Sequence, residues 1–202
     1  MSMHVEIHRD DLASKTGMWL FLFTEMLLFG GLFVVYTVYR FRNPVAFHLA
    51  AGELNVFIGT LNTVILLTSS ATIAMSVTAI QKRNKKLTLL LLGITVLLGI
   101  VFLVNKYFEW GGHIKEHIYP GSSILALRGQ GDVLFYGLYY FMTGLHALHI
   151  IIGLAFIVFI IVFIIRDNVN FENFVLLENS GLYWHLVDLI WIFLFPLFYL
   201  IT

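Results

Sequence analysis

The sequence predicts an all-α, polytopic membrane protein built as a bundle of five transmembrane helices. Its residues are 59% hydrophobic and only 12% charged, a balance typical of a chain surrounded by lipid rather than water. Five windows are long and apolar enough to cross about 30 Å of hydrocarbon, and they cover residues 18–39, 54–80, 87–108, 133–165 and 182–201. The connections between them are short, so we expect a single membrane domain over residues 1–202.

The basic residues predict which side of the membrane each connection occupies. The N-terminal segment, the turn at 81–86 and the loop after the fourth window carry seven Lys and Arg residues, against four or five in the other connections. By the positive-inside rule the N-terminus is expected in the cytoplasm and the C-terminus outside. Residues 1–17 lack the features of a cleaved signal peptide, so the first span is expected to remain.

Aromatic residues near the ends of several windows support the predicted boundaries. Trp19 and Tyr36 lie near the two ends of the first window, where amphipathic rings sit at headgroup level. The second and third windows flank the basic turn, and Trp110 follows the third. The fourth window carries two histidines. Trp184 and Tyr199 mark the two ends of the fifth.

Charge and cysteine content exclude several functions. Twelve basic residues balance twelve acidic ones, so nothing indicates nucleic-acid binding. The chain has no cysteine and therefore cannot hold a thiolate-bound copper pair, a covalent c-type haem or an iron–sulfur cluster. It also has no glycine-rich nucleotide-binding loop.

Polar residues inside the fifth window are the strongest functional signal. Trp184, Asp188 and Trp191 share one helical stripe at i, i+4 and i+7, with His185 beside it. Because ionisable groups in hydrocarbon need protein partners, we interpret this stripe as the face turned toward a partner. Glu25 and His149 fall at a similar depth and predict a polar belt.

Two pairs of histidines raise the question of metal binding. His146 and His149 lie on one side of the fourth helix and cannot both ligate one haem iron from opposite faces, so we expect neutral, hydrogen-bonded imidazoles. His113 and His117 have the i, i+4 spacing of a metal face without the HExxH order, and a solvated surface segment is favoured.

Glu109 follows the third window and has two interpretations. It is either an interfacial carboxylate paired with Lys106 at i−3 or, if the helix continues, a buried carboxylate.

Five blocks, in chain order, resemble subunit III of the haem–copper respiratory oxidases. They are WLFLFTE with GGLF, LNTVILLTSS, EW, GLHALHIIIG and YWHLVDLIW, beginning at residues 19, 30, 61, 109, 144 and 183. The chain looks like the short bacterial form of this subunit, which has five membrane helices.

The resemblance implies a non-catalytic accessory subunit in the bacterial inner membrane, without a cofactor or metal of its own. Haem and copper would lie in partner subunits. The implied partners are subunits I and II, a small subunit IV, phospholipid and a larger respiratory supercomplex. The implied roles are support of proton uptake and of complex stability. By the same resemblance Glu25 and Glu109 are lipid- or proton-related, and the polar residues expected at helix interfaces are His146, His149, Trp184, His185, Asp188 and Trp191.

Other functions remain open at this point. The accessory subunit of nitric oxide reductases shares the general helix pattern. An independent proton-linked transporter would use the intramembrane carboxylates as a path, although five spans do not divide into two repeats. A di-haem cytochrome b is a third alternative. The choice between cytochrome c and quinol as electron donor is expected to lie in other subunits.

Overall fold

The computed structural model describes residues 11–200, and these are almost entirely helical. The helices are α1 Asp11–Arg42, α2 Pro44–Gly52, α3 Val56–Gln81, α4 Lys85–Lys115, α5 Ser123–Arg128, α6 Gln130–Ile165 and α7 Val175–Tyr199. Five of them, α1, α3, α4, α6 and α7, are long and apolar enough to cross a membrane. No β-strand occurs within residues 11–200. The predicted all-α class with five membrane helices is therefore confirmed, and the sides on which the termini lie stay a prediction.

Several helices run past the predicted windows at one end or both, because hydropathy marks only the stretch that lies in hydrocarbon. α7 starts at Val175, seven residues before the predicted window, and its first turns carry Glu178 and Asn179. α4 continues to Lys115. Residue 201, the expected end of the fifth window, lies outside the described residues. The short helices α2 and α5 were not predicted, since neither is long enough to form a window.

Two asparagines cap the N-termini of α3 and α4, which form a helical hairpin. The side chain of Asn55 accepts a hydrogen bond from the backbone N–H of Ile58, and Asn84 does the same for Leu87. Each satisfies one of the free donors at the start of a helix. Between them, Arg83 has a φ of 60°, the left-handed conformation that lets α3 turn back into α4 within a few residues.

α7 lies at the centre of the bundle. It packs against α1, α3 and α6, while α3 also packs on α4 and α4 on α6. The backbone of α1 comes close to those of α2, α6 and α7 but not to those of α3 or α4. The helices α1, α6, α4 and α3 therefore follow one another in an arc around α7, and the arc is open between α1 and α3.

The stripe on α7 faces this chain's own helices, so the interpretation of the stripe as a partner-facing surface was wrong. Trp184, Asp188 and Trp191 are only 0%, 3% and 1% exposed. The indole N–H of Trp184 donates to Ser69 Oγ and that of Trp191 to Thr63 Oγ1, each at 3.0 Å, and both acceptors lie on α3. Periodicity identified a buried stripe, but it could not distinguish contacts within the chain from contacts with another chain.

Glycines on α4 and α6 make room for the Trp184 ring. A Cβ at Gly153 would lie 2.9 Å from a ring carbon of Trp184, and one at Gly99 would lie 3.0 Å from another. Because contacts that short are repulsive, any larger residue at either position would push α7 away from its neighbours.

Candidate functional site

Glu25 and His149 form a proton-sharing pair between α1 and α6. Glu25 Oε2 lies 3.0 Å from His149 Nε2, and the two side chains are 16% and 10% exposed. His149 Nδ1 lies 2.7 Å from the carbonyl oxygen of Leu145. Since a carbonyl only accepts, Nδ1 carries a hydrogen. The Nε2–Oε2 hydrogen bond then needs one further proton, held either by the imidazole or by the carboxyl group.

A second polar group lies between α7 and α3 at a similar depth. His185 Nδ1 is 2.6 Å from Ser70 Oγ. Asp188, one turn further along α7, is buried and neither carboxyl oxygen makes a geometrically satisfactory hydrogen bond within residues 11–200. Ser70 is its polar neighbour, close enough to interact. These contacts tie α7 to α3.

The two histidines on α6 have different surroundings. His149 is hydrogen-bonded as expected, through both of its ring nitrogens. His146 is fully buried and neither nitrogen has a hydrogen-bond partner among the described residues. Its ring lies against Phe102 and Trp191, with ring centroids 5.6 Å and 5.2 Å away. The expected hydrogen bond of His146 is therefore not made by any protein group among residues 11–200, and it stays a prediction.

Near the other end of the bundle, Lys106 and Glu109 form a buried ion pair. Lys106 Nζ donates to Glu109 Oε2 at 3.2 Å, to the Tyr139 hydroxyl at 3.2 Å and to the Tyr199 hydroxyl at 2.8 Å. Both phenols donate in turn to Glu109 Oε1. The two charged side chains are 2% and 3% exposed. The network satisfies all three ammonium hydrogens and joins α4, α6 and α7.

This network settles the two interpretations of Glu109 and was largely missed from sequence. Glu109 is paired with Lys106, as one interpretation held, but the pair is buried because α4 continues to Lys115. Tyr139 and Tyr199 are distant in sequence from the pair, so no spacing rule connects them. The available signal was Lys106 itself, a lysine inside the apolar window 87–108.

Glu53, between α2 and α3, forms a second ion pair with the α5 region. Arg128 Nη1 lies 2.8 Å from both carboxylate oxygens, and the Tyr136 hydroxyl donates to Oε2 at 2.6 Å. Burial alone would raise the pKa of Glu53, but the hydrogen bonds from Tyr136 and Arg128 outweigh it and hold the pKa below its ordinary value. Neither Glu53 nor Arg128 was among the predicted site residues.

His113 and His117 do not form a common metal-binding face. α4 ends at Lys115, and His117 has a φ of 58°, outside the helix and exposed to solvent. His113 packs against the rings of Tyr136 and Tyr139. Within residues 11–200 no group of three or more His, Cys, Asp or Glu side chains is placed to hold a metal ion.

Together these features define a class of protein: a polytopic helical membrane protein whose helices are joined by hydrogen bonds between intramembrane polar side chains. Comparison with known proteins gives the family. The chain belongs to the cytochrome c oxidase subunit III family, whose model matches residues 3–202.

Curated relatives agree with this assignment. Cytochrome c oxidase subunit 3 of Thermostichus vulcanus is 34% identical over 92% of this chain and 86% of its own length. A probable quinol oxidase subunit 3 of Staphylococcus saprophyticus is 28% identical over 93% of the chain and 89% of its length. The haem–copper oxidase subunit I+III of Aeropyrum pernix is 33% identical over 93% of the chain, which spans only 22% of that longer protein.

Proposed function

We propose that this chain is the non-catalytic accessory subunit III of a proton-pumping haem–copper terminal oxidase in a bacterial inner membrane. The observation that carries the proposal is the family match over residues 3–202. The chain has no cysteine, and His149 is engaged with Glu25 while His146 is enclosed by aromatic rings. We therefore assign haem and copper to partner subunits.

The proposed partners are the oxidase subunits I and II. A relative that carries subunits I and III in one polypeptide supports a direct contact with subunit I. Relatives named for cytochrome c and for quinol oxidases both match more than 90% of the chain. We therefore assign the choice of electron donor to other subunits.

A role in proton uptake is supported by the Glu25–His149 pair. The pair holds one exchangeable proton between two groups that are mostly shielded from solvent. If the N-terminus is cytoplasmic, Glu25 lies about 21 Å along α1 from its inner end, at about 1.5 Å per residue. A carboxyl–imidazole pair at this depth is suited to buffering protons beside the catalytic subunit. Glu109, locked to three donors, is better suited to holding helices together.

Two substitutions of Glu25 separate proton buffering from packing. Glu25→Gln keeps a hydrogen-bonding side chain beside His149 but removes the titratable carboxyl group, whereas Glu25→Ala removes both. We expect proton uptake by the intact oxidase to slow in both variants, and helix packing to weaken only in Glu25→Ala. The rate of proton uptake is measured during turnover in vesicles, with Glu178→Gln as a control. Wild-type uptake in Glu25→Gln would rule out buffering by this carboxyl group.

Phospholipid binding is supported by a cleft at the inner end of α1 and α6. Ser14, Asn168 and Asn173 form polar parts of its lining, while Phe163 and Leu176 form an apolar part. This pairing of surfaces fits a headgroup and the start of an acyl chain. The phospholipids bound per complex can be counted by mass spectrometry in Leu176→Asp. We expect a loss relative to Leu127→Asp, a control on α5 at an 88% exposed position.

An oxidase assembled without this chain tests the accessory role as a whole. We expect oxygen reduction to begin at a rate close to that of the complete enzyme and then to decline faster during sustained turnover. Immediate and complete loss of haem-dependent oxygen reduction in an otherwise assembled enzyme would contradict a non-catalytic role.

A further inference from the structure

The opening between α1 and α3 forms a groove with α7 as its floor. Among the residues that line it are Trp19 of α1, Ala74 and Val77 of α3, and Leu182 and His185 of α7. The groove has a volume of about 400 Å³. It lies where α1 and α3 both pack on α7 while their backbones stay apart from one another.

His185 brings an unused hydrogen-bonding atom into this groove. Its Nδ1 is bonded to Ser70, but its Nε2 has no hydrogen-bond partner within residues 11–200, and the side chain is only half-buried. His185 lies three residues inside the apolar window that begins at residue 182, directly after Trp184 at the headgroup-level end of that window. Acyl chains packed against this side of the groove would offer neither donor nor acceptor to Nε2.

α3 contributes Ala74 and Val77 to the wall of the groove. The exposed residues of α3 between positions 68 and 78 are Thr68, Ala71, Ala74, Met75 and Thr78, of which only Met75 has a long side chain. The outer faces of α4 and α6 instead expose Leu97, Val104, Ile151 and Phe156, among others. Small residues let a neighbouring helix approach closely, whereas bulky aliphatic and aromatic residues are equally satisfied by lipid.

We propose that a transmembrane helix of oxidase subunit I lies in this groove and places a hydrogen-bonding side chain on His185 Nε2. The inference rests on the proposed function. It goes further because it assigns the groove between α1 and α3 as the surface of this chain that contacts subunit I. We assign subunit I as the occupant because one relative carries subunits I and III in a single polypeptide, which keeps the two subunits next to one another. The Ser70–His185 contact then links the docked helix to α3 as well as to α7.

Photo-cross-linking in the intact complex tests the surface. The residue p-benzoylphenylalanine replaces Ala74 in the groove or, as a matched control, Ile151 on the opposite side of the bundle between α4 and α6. The tagged chain is purified with its partners after irradiation, and the adducts are identified by mass spectrometry. Adducts to subunit I are expected from position 74 in about ten-fold excess over position 151, since contact cross-linking requires direct packing.

The outcomes separate this proposal from the accessory function. If the unirradiated chain brings down subunit I but position 74 gives adducts only to phospholipid or to a second copy of the chain, the groove proposal is overturned and the accessory function stands. The same holds if position 151 gives more subunit I adduct than position 74. If the chain does not bring down subunit I at all, both proposals fall.

A pair of His185 variants tests the hydrogen bond. His185→Gln offers a donor and an acceptor in the groove, whereas His185→Phe offers neither. One intramembrane hydrogen bond contributes about 1–2 kcal/mol, so retention of subunit I after a detergent wash is expected to fall about ten-fold in His185→Phe and to be largely kept in His185→Gln. Equal retention in the two variants would overturn the assigned contact.

Discussion

At the scale of single residues, the protein buries one pair of opposite charges whose hydrogen bonds are complete. Lys106 and Glu109 are 2% and 3% exposed, and two tyrosines complete their hydrogen bonds. A buried ion pair of this kind adds little net stability when both partners are present, because burial of each charge is costly. Removing only one partner leaves the other charge without compensation.

The Lys106–Glu109 pair predicts a marked asymmetry between single and double substitutions. Lys106→Met should destabilise the chain by about 3–5 kcal/mol, because Glu109 then stays buried without its cation. The double variant Lys106→Met, Glu109→Gln should recover much of that loss. The measurement is the free energy of unfolding in detergent micelles.

An exposed ion pair provides the control for this experiment. Lys15 and Glu178 lie 2.8 Å apart with side chains 47% and 25% exposed, so Lys15→Met should cost less than about 1 kcal/mol. If Lys106→Met lowers the free energy of unfolding no more than Lys15→Met does, then burying Glu109 without its cation does not carry the predicted cost.

Glu53 predicts a pH dependence outside the membrane. Its pKa is lower in the folded protein than the ordinary value of 4.5, so its contribution to stability is fully present above that value. The contribution is lost as the pH falls through the lowered pKa and the carboxylate is protonated. The protection factors of backbone amides in α5, which correct for the pH dependence of intrinsic hydrogen exchange, should therefore fall at acid pH, and this fall should be weaker in Glu53→Gln. An identical acid profile in Glu53→Gln would assign the effect to another group.

At the scale of the helices, α7 is held by rigid aromatic side chains that fit into gaps left by glycine. Trp184 fills the space beside Gly99 and Gly153 and also donates to Ser69. Such packing tolerates little change, because both the indole ring and the facing backbone are fixed by their own neighbours.

Two glycine-to-alanine substitutions should act in opposite directions. Both positions are helical, so each gains helix propensity of up to about 1 kcal/mol. At Gly153 the new methyl group would lie 2.9 Å from Trp184, and overpacking should give a net loss of about 1–3 kcal/mol. At Gly93 no atom lies within 4 Å of the new Cβ, so stability should be unchanged or raised. Thermal unfolding of both variants in the same detergent measures the difference, and equal behaviour would contradict tight packing at Gly153.

The five spans could be predicted because each is a long apolar stretch, but contacts between helices could not. Hydropathy placed α1, α3, α4, α6 and α7 correctly and missed α2 and α5, which are too short to give a signal. Periodicity placed Asp188 on a polar stripe but did not indicate whether that stripe met this chain or another. The partners of Glu25, Lys106 and Glu53 lie between 3 and 124 residues away in sequence, and spacing along one helix finds only the nearest of them.

At the scale of the whole molecule, the helices form an open arc around α7 rather than a closed bundle. α1 is buried over only 11% of its most apolar window, against 56% for α7. A bundle with one lightly attached helix and an unpaired imidazole at its open side is better suited to assembly with other subunits than to working alone. This agrees with the family to which the chain belongs and with the proposed accessory role.

Purification of the native complex through a tag on this chain tests that role most directly. We expect the tagged chain to bring down large haem-bearing subunits, with a haem spectrum in the complex and none on the chain after it is separated from them. Recovery of the chain alone and stable, without those subunits or with bound haem or copper of its own, would contradict the account.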